Sequence, residues 1–359
     1  MLVALVFSFG ITPAGAARSS TSKTPIFVDT DIGIDDAVAI TWLLKQRSAK
    51  IVGFSTVHGN TTVDNATRNL LTLLDAFGLE KPISIGAAEP LEFPRFRTGA
   101  LVHGPDGFWF AQRPHDISAL PTDAPAAIAD AARNNPNLTI VALGPLTNIA
   151  QAVEEYPSDL AGVRLVALGG GKRGNISPVA EFNIYSDPQA LDIVLASQMR
   201  VELVTVEAFE QVEVDSNRFL AKISARNDAL SQIFAQILPP YFGALSQGAG
   251  DNAAIADVAA AVYALRSDMG TPTPALVRVV TENGYTRGQT LIGDTFNHRI
   301  ALIANAEEIS LIADQAFIPG FDLNAMLFGI LVRQPDNAQV ILDVKGKQMA
   351  RLVENMFAR

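Results

Sequence analysis

Residues 24–46 read TPIFVDTDIGIDDAVAITWLLKQ, and this stretch sets the frame for the rest of the chain. Ile26, Phe27 and Val28 form a short apolar run of the kind found in strands buried on both faces, as parallel strands are. Asp29 to Ile34 then turn the chain, and Asp35-Asp36 open an amphipathic helix. Four carboxylates, Asp29, Asp31, Asp35 and Asp36, therefore crowd one strand-to-helix junction within eight residues. In an open parallel sheet such a junction lies at the carboxyl edge, where ligands bind. Like charges this close resist ionising together, and a bound cation is the simplest way to hold them charged. Asp35 and Asp36 also suit a helix N-terminus through its dipole. The set of four reads as a hard-metal site.

The chain has 359 residues, 48% of them hydrophobic and 18% charged, which is ample for a large core. Residues 24–359 read as one domain, with a C-terminal extension around 309–340. A formal charge of −10 argues against a nucleic-acid binder, which needs a basic face. A neutral or cationic small substrate, or a metal, fits better. The absence of cysteine excludes disulfides, thiolate catalysis and cysteine-ligated zinc. Residues 1–20, MLVALVFSFGITPAGAARSS, join an apolar run to Pro13 and the small-residue series Ala14-Gly15-Ala16-Ala17. That is the pattern of a secretory signal, although no Lys or Arg precedes the run. The expectation is a signal peptide over 1–17 and an exported protein, or a cytoplasmic one if the start is mis-assigned. No later stretch is long and apolar enough to span a bilayer.

Apolar runs at 26–28, 51–57, 83–86, 138–143, 163–168 and 201–206 alternate with helical patterns at 63–77, 124–133, 146–155 and 188–197. This alternation predicts an α/β fold: an open, mostly parallel sheet with helices on both faces. Polar punctuation recurs at the same end of successive strands: Val57-His58-Gly59-Asn60, Leu143-Gly144-Pro145-Leu146-Thr147-Asn148, Gly169-Gly170-Gly171, then Gly174-Asn175 and Glu181-Phe182-Asn183. A parallel sheet brings all of these to the edge that carries the aspartates. Singly, each is also a plausible turn or cap residue. Beyond residue 210 the pattern is helical, with helices expected at 216–238 and 257–266 and a Gly-rich segment at 243–250. Asp257 heads the second of these helices. Residues 276–282 and 286–292 flank Asn283-Gly284 and predict a hairpin.

Two chemistries suit the acidic edge. Asp29-x-Asp31 after an apolar strand is similar to the motif of haloacid-dehalogenase-type phosphotransfer enzymes, in which the first Asp is the nucleophile beside Mg²⁺. That motif usually has Thr or Val where this chain has Gly33, and it leaves Asp35-Asp36 unexplained. Alternatively the cluster holds a cation that acidifies a water and grips sugar hydroxyls, with Ca²⁺ suited to carboxylate and carbonyl oxygens. Asn60, Asn175, Glu181 and Asn183 could then bind hydroxyls, and Asp31 could serve as general base.

The run Asp29-Thr30-Asp31-Ile32-Gly33-Ile34-Asp35-Asp36-Ala37 resembles the signature of the inosine–uridine-preferring nucleoside hydrolase family. So do Val57-His58-Gly59-Asn60, His103-Gly104-Pro105-Asp106-Gly107, the 143–150 block, and Gly174-Asn175 followed by Ala180-Glu181-Phe182-Asn183. The blocks keep the family's order over about 24–300. The resemblance implies hydrolysis of ribonucleosides to ribose and free base by a metal-bound water that Asp31 activates. It implies Ca²⁺ held by Asp31, Asp36, the Leu143 main-chain carbonyl and Asp257. Ribose contacts are implied for Asp35, Asn60, Asn175, Glu181, Asn183 and Asp257, and a homo-oligomer, dimer or tetramer, for the assembly.

The departures bear on function. Ile32 replaces the family's Pro, and Glu207-Ala208-Phe209 replaces an Asp-Val-Thr run. Many pyrimidine-accepting members carry a His immediately ahead of the Asp257 position, where this chain has Ala256, which can donate no proton. Purine-specific members stack the base between aromatics, and Trp109, between Phe108 and Phe110, offers one such surface. The alternative is an inactive relative that binds a ribosyl ligand without turnover.

Overall fold

The computed structural model describes residues 23–92, 99–246, 251–316 and 318–357; the apolar N-terminal run and the end of the Gly-rich 243–250 segment lie outside them. The strands are β1 (Thr24–Thr30), β2 (Ala49–Thr56), β3 (Ile83–Ile85), β4 (Thr139–Ala142), β5 (Arg164–Leu168) and β6 (Arg200–Val204). They continue with β7 (Glu213–Asp215), β8 (Asn252–Ala254), β9 (Gly270–Val279), β10 (Thr290–Gly293) and β11 (Ala338–Val344). A nine-stranded sheet runs in the order β10-β9-β11-β6-β5-β4-β1-β2-β3, and β7 pairs with β8 separately. From β3 across to β11 every neighbour is parallel. At the other end β9 lies antiparallel to both β11 and β10.

Two apolar layers sandwich this sheet, and the alternation of strand residues sorts into them. Ile26, Val28, Val141, Val166, Leu168 and Val204 face one layer; Phe27, Ile140, Ala142, Leu165, Ala167 and Leu203 face the other. Period-two alternation with both sets apolar is what a strand covered on both sides requires. The first layer is completed by the helices Ile34–Lys45, Val63–Phe77 and Ala256–Leu265, among others. The second takes Ala124–Asn134, Thr147–Glu155 and Pro188–Leu195. β1 sits between β2 and β4, with Asp29 opposite Ser55 on one side and Ala142 on the other. The acidic stretch therefore leaves the sheet from an interior strand, flanked by the loops that follow β2 and β4.

Two expectations need correction. The helix expected over 216–238 is two helices, Ser216–Ser224 and Ala229–Ser246. Asp228 starts the second by accepting from the Ser231 amide (2.9 Å), and that helix continues through Pro239-Pro240. The hairpin exists, but β9 and β10 pair from Val279↔Thr290, so residues 280–289 form the loop. Asn283-Gly284 lies within that longer loop and does not make the tight turn read from sequence.

The 294–337 excursion between β10 and β11 carries the helices Phe296–Ile303, Ala306–Gln315 and Leu323–Leu331, of which only Ile330 is buried. Among the described residues no helix is long and apolar enough to cross a membrane.

Candidate active site

At the end of β1 the chain turns through Asp31 and Gly33 into the helix Ile34–Lys45. Asp36, in the first turn, reaches back to cap its own helix: Oδ2 accepts from the Gly33 amide (2.8 Å) and Oδ1 from the Thr30 hydroxyl (2.5 Å). The helix dipole favours a carboxylate there. Asp36 thus does what a helix-opening acid should, and Asn60 Nδ2 also donates to its Oδ2 (3.1 Å). Asn60 connects the second loop to the first, because its backbone N–H donates to Asp31 Oδ2 (2.7 Å). Asp257 arrives from the helix Ala256–Leu265, and one oxygen each of Asp35, Asp36 and Asp257 lie within 4.8 Å of one another.

Asp31, Asp35, Asp36 and Asp257 are all buried. Burial pushes all four carboxyls above their usual range, and their mutual repulsion adds to this for Asp31, Asp36 and Asp257; Asp35 rises to about 6. Crowding also determines the fit to a cation. Asp31 Oδ1 and Asp35 Oδ1 are buried acceptors without a hydrogen-bond donor. Such atoms cost about 1–3 kcal/mol each when left unsatisfied, so native proteins retain them for a partner. The donor set is all oxygen, which matches a hard cation. Backbone packing keeps Asp31 in place: a Cβ at Gly59 would come within 2.0 Å of Asp31 Oδ2, and one at Gly144 within 2.8 Å of Oδ1.

The other expected residues form a second tier along the same edge. Asn183 Nδ2 donates to the Leu143 carbonyl (2.7 Å) and the Leu168 carbonyl (3.1 Å), tying the loops after β4 and β5 together. Glu181 caps the helix Phe182–Ser186, accepting from the amides of Asn183 (3.0 Å), Ile184 (3.1 Å) and Gly170 (3.2 Å). Its desolvation outweighs those bonds and lifts its pKa to about 7. Asn175 is exposed, and its side-chain oxygen accepts from the Phe182 amide (2.9 Å). The structure thus gathers Asp31, Asp35, Asp36, Asp257 and Asn60 into one centre. Asn183 bonds both the Leu143 carbonyl and Glu181, and Asn175 takes the amide of the intervening Phe182.

Asp29 is held differently. It is fully buried, and its Oδ1 accepts from Ser55 Oγ (2.5 Å) and Asn148 Nδ2 (2.7 Å) between β2 and the helix Thr147–Glu155. Through Oδ1 it braces the loop from behind, while its buried Oδ2 has no hydrogen-bond partner.

Two residues were not assigned to the site from sequence. Tyr241, fully buried on the helix Ala229–Ser246, donates its hydroxyl to the Ala254 carbonyl (3.4 Å) and stacks at a tilt on His103 (ring centroids 5.7 Å apart). His103 Nδ1 accepts from the Ile34 amide (3.1 Å) and lies 3.7 Å from Asp35 Oδ1. Burial lowers its pKa to about 4, so it is a neutral acceptor at pH 7. His103 was legible as part of a motif block, but nothing local to Tyr241 signals its position. Trp109 packs against the core with its indole N–H donating to the Val102 carbonyl (3.0 Å), Phe108 is fully buried, and Phe110 is exposed. Of the three aromatics, only Phe110 presents an open ring. Ala256 is partly buried against the apolar core.

The sequence model of the inosine–uridine preferring nucleoside hydrolase family matches residues 26–350. A non-specific ribonucleoside hydrolase, RihC, of Salmonella enteritidis PT4 is 33% identical over 299 residues, covering 80% of this chain and 95% of that protein. Among solved structures, the plant nucleoside hydrolase PpNRh1 superposes with a TM-score of 0.76 at 28% identity, over 93% of this chain and 98% of that one. A purine-preferring ribonucleoside hydrolase from Gardnerella vaginalis gives the same TM-score and coverage at 22% identity, a likeness of fold. The order of the motif blocks, the sheet that aligns them and these matches agree: the chain belongs to the inosine–uridine preferring nucleoside hydrolase family and is a hydrolase acting on N-glycosyl compounds.

Proposed function

We propose that this protein hydrolyses the N-glycosidic bond of ribonucleosides with the help of a calcium ion. The observation that carries this reading is the pair of buried acceptors without donors, Asp31 Oδ1 and Asp35 Oδ1, beside Asp36 and Asp257. Asp31, Asp36, Asp257 and the Leu143 carbonyl would hold the ion. When bound, it supplies a Lewis acid that lowers the pKa of a water. Asp31 takes the proton of the attacking water; Asn60, donating to Asp31 and Asp36 through separate atoms, fixes their relative placement. Asp35, Asn60, Glu181, Asn183 and Asp257 accept or donate to ribose hydroxyls, with Asn175 at the outer margin. The buried carboxylates favour the positive charge that develops on the sugar ring as the base departs. Ala256 offers the base no proton, so the leaving group must be stabilised elsewhere.

That last feature favours a second reading, a ribosyl-binding relative without turnover. One experiment separates the two. Inosine, adenosine, guanosine and uridine are incubated with the protein in calcium or in excess chelator, while calorimetry follows binding of calcium and of ribose. Release of ribose in calcium, lost on chelation, is the expected result. Binding without release from any nucleoside establishes the second reading, and neither binding nor release overturns both.

A further inference from the structure

A buried hydrogen-bonded chain lies behind the acidic centre, and no step of the proposed reaction uses it. His58 Nε2 and Thr147 Oγ1 are 3.0 Å apart, and Thr147 Oγ1 donates to Asp187 Oδ2 at 2.7 Å. All three residues are fully buried. Their protons can be assigned. A hydroxyl has one hydrogen, and the short bond to a carboxylate claims it. Thr147 must then accept from His58, which places the imidazole proton on Nε2. Asp187 is anchored in turn, taking the Ala190 amide on Oδ1 (3.1 Å) and the Leu91 amide on Oδ2 (3.1 Å). Burial lifts the Asp187 carboxyl above its usual range, and the bonds from Thr147, Ala190 and Leu91, with the Arg287 cation, oppose that rise.

Each member stands a few residues from a group at the site, and each on a different loop. His58 precedes Gly59, which abuts Asp31, and Asn60, which spans Asp31 and Asp36. Thr147 follows Leu143 and Gly144, the other wall against Asp31, and precedes Asn148, which braces Asp29. Asp187 donates its amide to the Asn183 carbonyl (3.3 Å), closing the short helix that carries Asn183. The loops after β2 and β4 and the segment 181–187 are therefore joined at one hydroxyl.

We infer that Thr147 is a positioning residue, its hydroxyl setting the spacing of these three loops and so the geometry in which Asp31, Asn60 and Asn183 meet the substrate. The inference rests on the proposed hydrolysis. Removing that oxygen leaves the buried His58 N–H without its acceptor and Asp187 short of a donor, and outer-shell partners of this kind are typically worth about 10- to 100-fold in activity.

The test compares Thr147→Val, isosteric without the donor, with Thr147→Ser, which keeps the hydroxyl. Each is assayed with the nucleoside the wild type cleaves fastest, on protein shown to be folded by thermal melting. The expected outcome is a fall in kcat of about 10- to 100-fold for T147V, with KM changed less than kcat, and recovery to within about threefold of wild type for T147S. If T147V does not fold, the same contrast is read at the other end of the chain, His58→Phe against His58→Gln, which restores a donor. Equal kcat within either pair overturns the inference. An inactive wild type would instead overturn the proposed hydrolysis, so the two failures are distinguishable.

Discussion

Asp257 and Ala256 are neighbours in the chain and opposite in chemistry. Asp257 is drawn into a centre where buried carboxylates crowd one another, and hydrogen bonds tie Asn60 to Asp31 and Asp36, and Asn183 to the loop after β4. Ala256 opens the same helix with a methyl group packed on the apolar core, and the N-cap residue Ile255 makes no side-chain cap bond. In the proposed reading the half that would bind metal and sugar is over-determined, whereas residue 256 would offer the departing base no proton. Under the proposed hydrolysis, rate would depend on charge stabilisation at the ring, with the nucleobase's own basicity deciding which substrates leave.

This contrast can be broken at either half. The largest effect is expected at the acidic side: Asp31→Asn should lower kcat by about 10²- to 10⁴-fold, the usual contribution of a positioned base. Asp29→Asn keeps an oxygen for Ser55 and Asn148 and should lose far less; equal losses in steady-state assays would return Asp29 to the chemistry. Next comes the poor half. Ala256→His should raise uridine turnover by as much as about 10²-fold and add an acid-dependent limb to its pH–rate profile. An unchanged profile would mean that the base is activated by groups on another element.

The smallest effect concerns Glu181, whose pKa rises from 4.5 toward about 7 on burial. The folded protein therefore holds a proton between those values that the unfolded chain has released. Its contribution to stability is present below about 4.5 and is lost as pH rises toward 7. Substrate binding should follow the opposite course, tightening as Glu181 ionises near pH 7. Melting and KM measured from pH 5 to 8 check both slopes, and Glu181→Gln should flatten them.

How far the sequence discloses this molecule depends on how local each feature is. The parallel sheet was legible because strands buried on both faces read as apolar runs between helical patterns, and the 29–37 block because its acids are contiguous. Asn60 came from a motif block elsewhere in the chain, and Asp257 only from what the family resemblance implies. What escaped was set by contacts between distant residues. Tyr241 reaches His103 from a helix that runs through two prolines, where propensity argues for a break and packing overrides it. The His58–Thr147–Asp187 chain joins residues 89 and 40 positions apart. The long loop at 280–289 escaped because Asn-Gly also serves inside wider turns.

The walls against Asp31 carry one more consequence, for the paths by which such a sequence can change. Gly59 and Gly144 lie on different loops, yet a single added carbon at either would strike the same carboxylate. A substitution at one is not relieved by a substitution at the other, since both press on an Asp31 already fixed by the Asn60 amide. Active variants reached one residue at a time must therefore go around these positions.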